Sequence, residues 1–260
     1  MVPLDATLFR ALLVLLLSTA CLQACADDSL TNASVFSPQV EEVVVEVDYQ
    51  DGAEPFVNNL QNTNNPWVTL FQPNIEALFQ GGNKRFSFQN ELAQMEKLEG
   101  ISKTQFSAED ILDLAAQHQN VRSATHRRAF YVIFLKGIFA GSDPSRPTLG
   151  ISIGDSGVIA VFKPVITSVA AMSVQRFVEQ STLIHEFGHS VGLVNNGLPM
   201  VRPHHDAEHG AHCTNPNCVM YFQNEGRDDL VAFVNQLAAT SSVILFGPEC
   251  LEDTRAAQMP

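Results

Sequence analysis

Basic residues are scarce in this chain. Fifteen Lys and Arg stand against 28 Asp and Glu, giving a formal charge of −13. Such a balance argues against nucleic acid or an anionic membrane face as a partner, because both are bound through clustered cations. Long apolar runs are equally rare. Ala11–Leu17, behind Arg10, is too short to anchor in a bilayer and suits the hydrophobic stretch of a signal peptide. No later segment is long and apolar enough to cross a membrane, and there is no internal repeat. With 45% hydrophobic residues, the 260-residue chain can bury one substantial core. One catalytic domain behind a short export segment is expected.

Cysteines are few: five in all, two of them, Cys21 and Cys25, inside the leading segment. Leu22-Gln23-Ala24-Cys25 has the form of a bacterial lipobox, with Leu three residues before the cysteine and Ala directly before it. Cys25 is then the lipidated first residue of the mature protein. Cys21 fits less well, because Ser18 holds the position of that Leu. Residues 1–25 are therefore expected to direct export to the periplasm or cell envelope, with a lipid anchor through Cys25. The other three cysteines are Cys213, Cys218 and Cys250. In an oxidising compartment an odd number suggests one disulfide plus a thiol, or a shared metal site.

Residues 26–65 are rich in Asp, Asn, Ser, Gln and Glu and are expected to form an acidic polar leader or tether. Val43–Val47 could add one edge strand to the main sheet. From residue 66 to the end the pattern is that of a globular catalytic domain. Ser107-Ala108-Glu109-Asp110 opens an amphipathic helix with a capping arrangement. Ala129–Leu135 is a β-branched and aromatic run of buried-strand length. Gly150–Gly154 and Gly157–Phe162 read as two further strands around an Asp155-Ser156 turn. A long helix over Ala171–Leu193 follows, with Val174, Phe177, Ile184 and Val191 on one side. The class is α+β.

That helix carries His185-Glu186-Phe187-Gly188-His189. Histidines four apart project from one helix face about one turn apart. Two neutral ring nitrogens so placed can bind one Zn²⁺ at roughly 2.0–2.1 Å. Glu186, beside the first histidine, suits a general base that takes a proton from water and returns it to a leaving amine. The apolar flanks Leu183, Ile184 and Phe187 bury the motif, where two histidines and a glutamate would be costly without a partner.

The longer pattern His-Glu-x-x-His-x-x-Gly-x-x-His, followed by a methionine turn, marks the metzincin proteases. His185, Glu186, His189 and Gly192 match it, while Asn195 stands where the third histidine belongs. Farther on, His212-Cys213-x4-Cys218-x-Met220 resembles the corresponding segment of the archaemetzincins. The resemblance covers roughly residues 128–252 and implies a metzincin-like (zincin) domain. Its parts are a twisted mixed sheet, an active-site helix, a third zinc ligand at His212 and a methionine turn at Met220. Residues 194–211 are then an insertion, with His205, Asp206 and His209 as alternative ligands and His204 as a fourth that, next to Pro203, is expected to face solvent. Gly247 replaces one cysteine of the family's four-cysteine site, so a disulfide between two of Cys213, Cys218 and Cys250 is preferred over a structural zinc. Tyr221 is a candidate for stabilising the oxyanion. Gly157–Phe162 occupies the place of the family's substrate-pairing edge strand.

The function implied is hydrolysis of protein or peptide substrates with one catalytic Zn²⁺. An inactive lipoprotein of the same fold that binds metal or peptide is the alternative. A periplasmic zinc-buffering role rests only on the histidine-rich insertion.

Overall fold

The computed structural model describes residues 31–57, 65–168, 172–225 and 243–259. The export and lipidation segment, with Cys21 and Cys25, lies outside these residues. Strand β1 (Glu42–Gln50) turns Val43, Val45 and Val47 to one face and Glu46, Asp48 and Gln50 to the other, as the two-residue period of a strand requires. It is flanked on one side by the parallel strands β2 (Arg85–Phe88) and β3 (Glu96–Leu98) and on the other by β5 (Arg127–Leu135). The segment expected to be a tether with an edge strand thus supplies an interior strand. Its register is fixed by the apolar Val face.

From Ala129 to Leu135 every residue of β5 is buried, as suits a parallel strand covered on both faces. Next to it lies the parallel strand β8 (Val158–Phe162), and outermost β7 (Gly150–Ser152), antiparallel to β8. The order β2-β1-β5-β8-β7 makes a mixed sheet, while β4 (Gln105–Phe106) and β6 (Ile138–Phe139) form a separate parallel pair. The assignment of Gly157–Phe162 as the edge is corrected here. Val158–Phe162 is wholly buried between two strands, and the shorter β7 is the edge.

The helix Ala108–His118 begins as its capping box predicts. Ser107 Oγ accepts from the Asp110 N–H at 3.2 Å, and Asp110 accepts from the Ser107 N–H at 2.8 Å. Beyond its end, the Asn120 and Val121 N–H groups donate to the buried Glu46 at 2.9 and 2.7 Å. The motif helix runs over Met172–Ser190. Phe187 holds it to the sheet, packing against Phe130 and Phe71 with centroids 4.7 and 6.1 Å apart. Trp67 and Phe134 extend this aromatic layer. A buried ion pair between Lys163 and Glu179 ties the end of β8 to the same helix. Glu179 also accepts from the Phe56 N–H at 2.7 Å.

Asp48 is a buried carboxylate on the far face of β1. It accepts from the Tyr131 hydroxyl at 2.8 Å and the Glu96 N–H at 2.9 Å. Burial outweighs both bonds and raises its pKa to about 6. Because the folded value lies above the unfolded one, ionising Asp48 destabilises the fold, and stability falls as pH rises from about 4 to about 6. Asp48→Asn should therefore leave stability unchanged at pH 4 and raise it by roughly 2 kcal/mol at pH 7. Urea titrations at the two pH values measure the difference.

Candidate metal centres

Just past the end of the motif helix, Gly192 has a left-handed backbone with φ +86°. The Leu193 N–H returns to the Gly188 carbonyl at 3.0 Å, an end that a side chain at residue 192 would strain. Val194 and Asn195 continue in the left-handed region at φ 54° and 60°. Asn195 is exposed there, while Asn196 turns inward and donates to the His189 carbonyl at 3.0 Å. The position that aligns with a third histidine is thus spent on a turn. Asn32, from the segment before β1, reaches the same carbonyl at 3.3 Å.

After this turn the chain forms a short antiparallel hairpin, β9 (His205–Asp206) with β10 (His212–Cys213). It returns His212 to the motif helix. The ring of His212 lies 5.3 Å from that of His185 and 5.1 Å from that of His189, centroid to centroid. The Nε2 atoms of His185 and His189 are 3.0 Å apart, and the three residues can offer donor atoms all within 4.8 Å of one another. Tetrahedral zinc with bonds of about 2.0–2.1 Å needs ligand nitrogens roughly 3.3 Å apart, so the set fits.

Two rings are oriented by backbone carbonyls. His185 Nδ1 donates to Val219 at 2.6 Å and His212 Nδ1 to the His209 carbonyl at 2.5 Å, which leaves each Nε2 to the centre. Glu186 is buried and packs against β7, and a Cβ on Gly150 would come within 3.0 Å of its Cγ. Met220 lies under the helix, where a Cβ on Gly188 would collide with its sulfur. The three histidines and Glu186 line a cavity of about 680 Å³ that is also bounded by Phe139 and β7.

The remaining sequence candidates stay outside the three-histidine group. His205 Nε2 bonds the Gly210 carbonyl at 2.7 Å, and Asp206 accepts from His209 at 2.8 Å. Neither joins the three-histidine group. Tyr221 packs edge-on against Phe222, and Phe222 rather than Tyr221 lines the cavity. The oxyanion role anticipated for Tyr221 has no support in this geometry.

Cys213 follows His212 in β10 and serves a second group. No disulfide joins Cys213, Cys218 or Cys250. Cys218 and Cys250 have their sulfurs 3.6 Å apart, far beyond a bond of about 2.05 Å and near the roughly 3.8 Å edge of a zinc–thiolate tetrahedron. His204, a fourth candidate ligand in the sequence but expected to face solvent, joins Cys213 and Cys250 in a group whose donor atoms all lie within 4.8 Å of one another, with Cys218 beside it. His204 is buried, with Nδ1 3.3 Å from the Cys213 sulfur and Nε2 2.7 Å from Asp253. A histidine backed by a carboxylate is the usual support of a metal ligand. The Gly247 N–H donates to the Cys218 sulfur at 3.0 Å. Hydrogen bonds from Cys218 and Cys250 push the Cys213 thiol below its ordinary range, while burial pushes Cys218 up to about 12. With its sulfurs as thiolates and a fixed imidazole, the group of His204, Cys213 and Cys250 could hold a metal ion. His204 stood next to Pro203 with no spacing motif, so only the loss of one cysteine hinted that another residue was needed.

No protein-family model matches the chain, and no curated protein matches it. Among solved structures it is similar to the crystal structure of an archaemetzincin from Methanopyrus kandleri. Identity is 12%, the alignment covers 84% of this chain and 96% of that one, and the TM-score is 0.42. The chemistry of the two groups therefore rests on their own side chains.

If both groups bind zinc, elemental analysis will find two ions per chain in the wild type. His189→Ala and Cys250→Ser should each lose one. A disulfide in place of the second group would appear as one zinc and a single titratable thiol, once cysteines outside residues 31–260 are removed.

Proposed function

We propose that the chain is a zinc-dependent peptidase, hydrolysing peptide bonds in protein or peptide substrates. The convergence of His185, His189 and His212 beside a buried Glu186, in a cavity bounded by a sheet edge, carries this reading. When bound by these three imidazoles, zinc would polarise the scissile carbonyl and acidify the attacking water. Glu186 takes the proton from that water and returns it to the leaving amine. Its packing against β7 keeps the carboxylate on the side of the cavity where a substrate strand would lie.

β7 pairs only with β8 among the described residues, so its outer edge can accept an extended peptide. Main-chain pairing of this kind gives affinity with little demand on sequence. Phe139 and Leu149 add apolar surface to the same wall. Export and anchoring through Cys25 would set this cleft to work in the cell envelope, on proteins outside the cytoplasm.

The decisive variant is Glu186→Gln, which keeps the shape of the side chain and removes the base. Cleavage of unfolded casein by the zinc-loaded protein should fall at least about 100-fold, with zinc content unchanged. The peptidase reading fails if the wild type leaves casein uncut, or if the variant cuts it equally well.

A further inference from the structure

The polar group on the wall formed by Phe222 is His209, in the turn between β9 and β10. Its side chain is 41% exposed, yet it is held from several sides. Nδ1 lies 2.8 Å from Asp206 Oδ2, and the ring stacks on Phe222 at 3.7 Å with an interplanar angle of 7°. The backbone N–H donates to the Asp206 carbonyl at 3.1 Å, and the His209 carbonyl accepts from His212. Exposed side chains on turns ordinarily keep their rotamer freedom, and ordering one costs entropy. Here that cost is met in advance, as in a binding group ready for its ligand.

The tautomer follows from the partners. A carboxylate only accepts, so Nδ1 carries the proton, and in the neutral ring Nε2 is an acceptor. That atom has no hydrogen-bond partner among the described residues. In an extended peptide, main-chain N–H groups point alternately to the two sides. A peptide paired to β7 would satisfy one set there and turn the other toward the wall that carries His209.

We propose that His209 is a substrate-binding residue whose Nε2 accepts a main-chain N–H of a peptide lying between β7 and the His205–Cys213 hairpin. The proposal rests on the peptide-cleft reading above and gives the insertion a share in recognition. Asp206 acts through His209 by fixing its tautomer and direction.

Calorimetry with two probes on the zinc-loaded protein tests this. Acetohydroxamate reports the metal alone, and a tripeptide hydroxamate adds the peptide contacts. His209→Phe keeps a ring to stack on Phe222 but removes the acceptor. It should weaken the tripeptide probe about five- to tenfold and leave acetohydroxamate unchanged. His209→Gln, which retains an acceptor, should recover part of the loss. Equal tripeptide affinity in His209→Phe overturns the proposal. So does a parallel loss of both probes, or a wild type that binds the tripeptide no better than acetohydroxamate. These outcomes are independent of casein cleavage, so lost cleavage with intact discrimination overturns the peptidase reading and leaves the role of His209 standing.

Discussion

A helix that carries two imidazoles and a carboxylate has to be held inside the protein, and an aromatic contact made by Phe187 is part of that holding. Phe187 lies between His185 and His189 in sequence but points the other way, into Phe130 and Phe71. Its burial forces the histidines and Glu186 to the opposite face, toward β7 and the hairpin. Burying a large aromatic side chain is worth roughly 2–3 kcal/mol, enough to fix the rotation of the helix. Glu179 and Lys163, one end of the helix away, resist its sliding. The whole cavity inherits its geometry from this docking.

The second constraint is the dipeptide His212-Cys213. Adjacent residues of a strand face opposite ways, so β10 presents an imidazole to one donor group and a thiol to the other. Whatever orders Cys213 also orders His212. The Met220 carbonyl accepts from the Cys213 N–H at 2.7 Å, which brings the packing under the motif helix into the same arrangement.

Much of this was legible in the sequence. The histidine spacing, the capping box at Ser107 and the run at Ala129–Leu135 each rest on a local period or a fixed offset, and local rules survive folding. His212 was readable because a cysteine and a methionine follow it at set distances. Three features were hidden for one reason: each depends on contacts distant in sequence. β1 lies in a polar stretch and is interior only because β2, β3 and β5 all pair with it. β7 and β8 look alike as short apolar runs, although the unbroken burial of Val158–Phe162 fits a strand enclosed on both sides. His204 acquires its meaning from Cys213, Cys250 and Asp253, up to 49 positions away. Asn195 looked like a lost ligand and is a turn residue.

The group of His204, Cys213 and Cys250 also bears on the chain when it is not folded. Filled by a metal, it joins positions about 46 residues apart and removes loop-closure entropy from the unfolded ensemble, on the order of 4 kcal/mol by the treatment used for disulfides. A disulfide would fasten one pair of these positions and depend on an oxidising environment. A metal clip would fasten all three donors at once and answer to a further variable. With such a clip filled, persistence of the fold would follow the availability of the metal as well as the redox state of the thiolates that hold it.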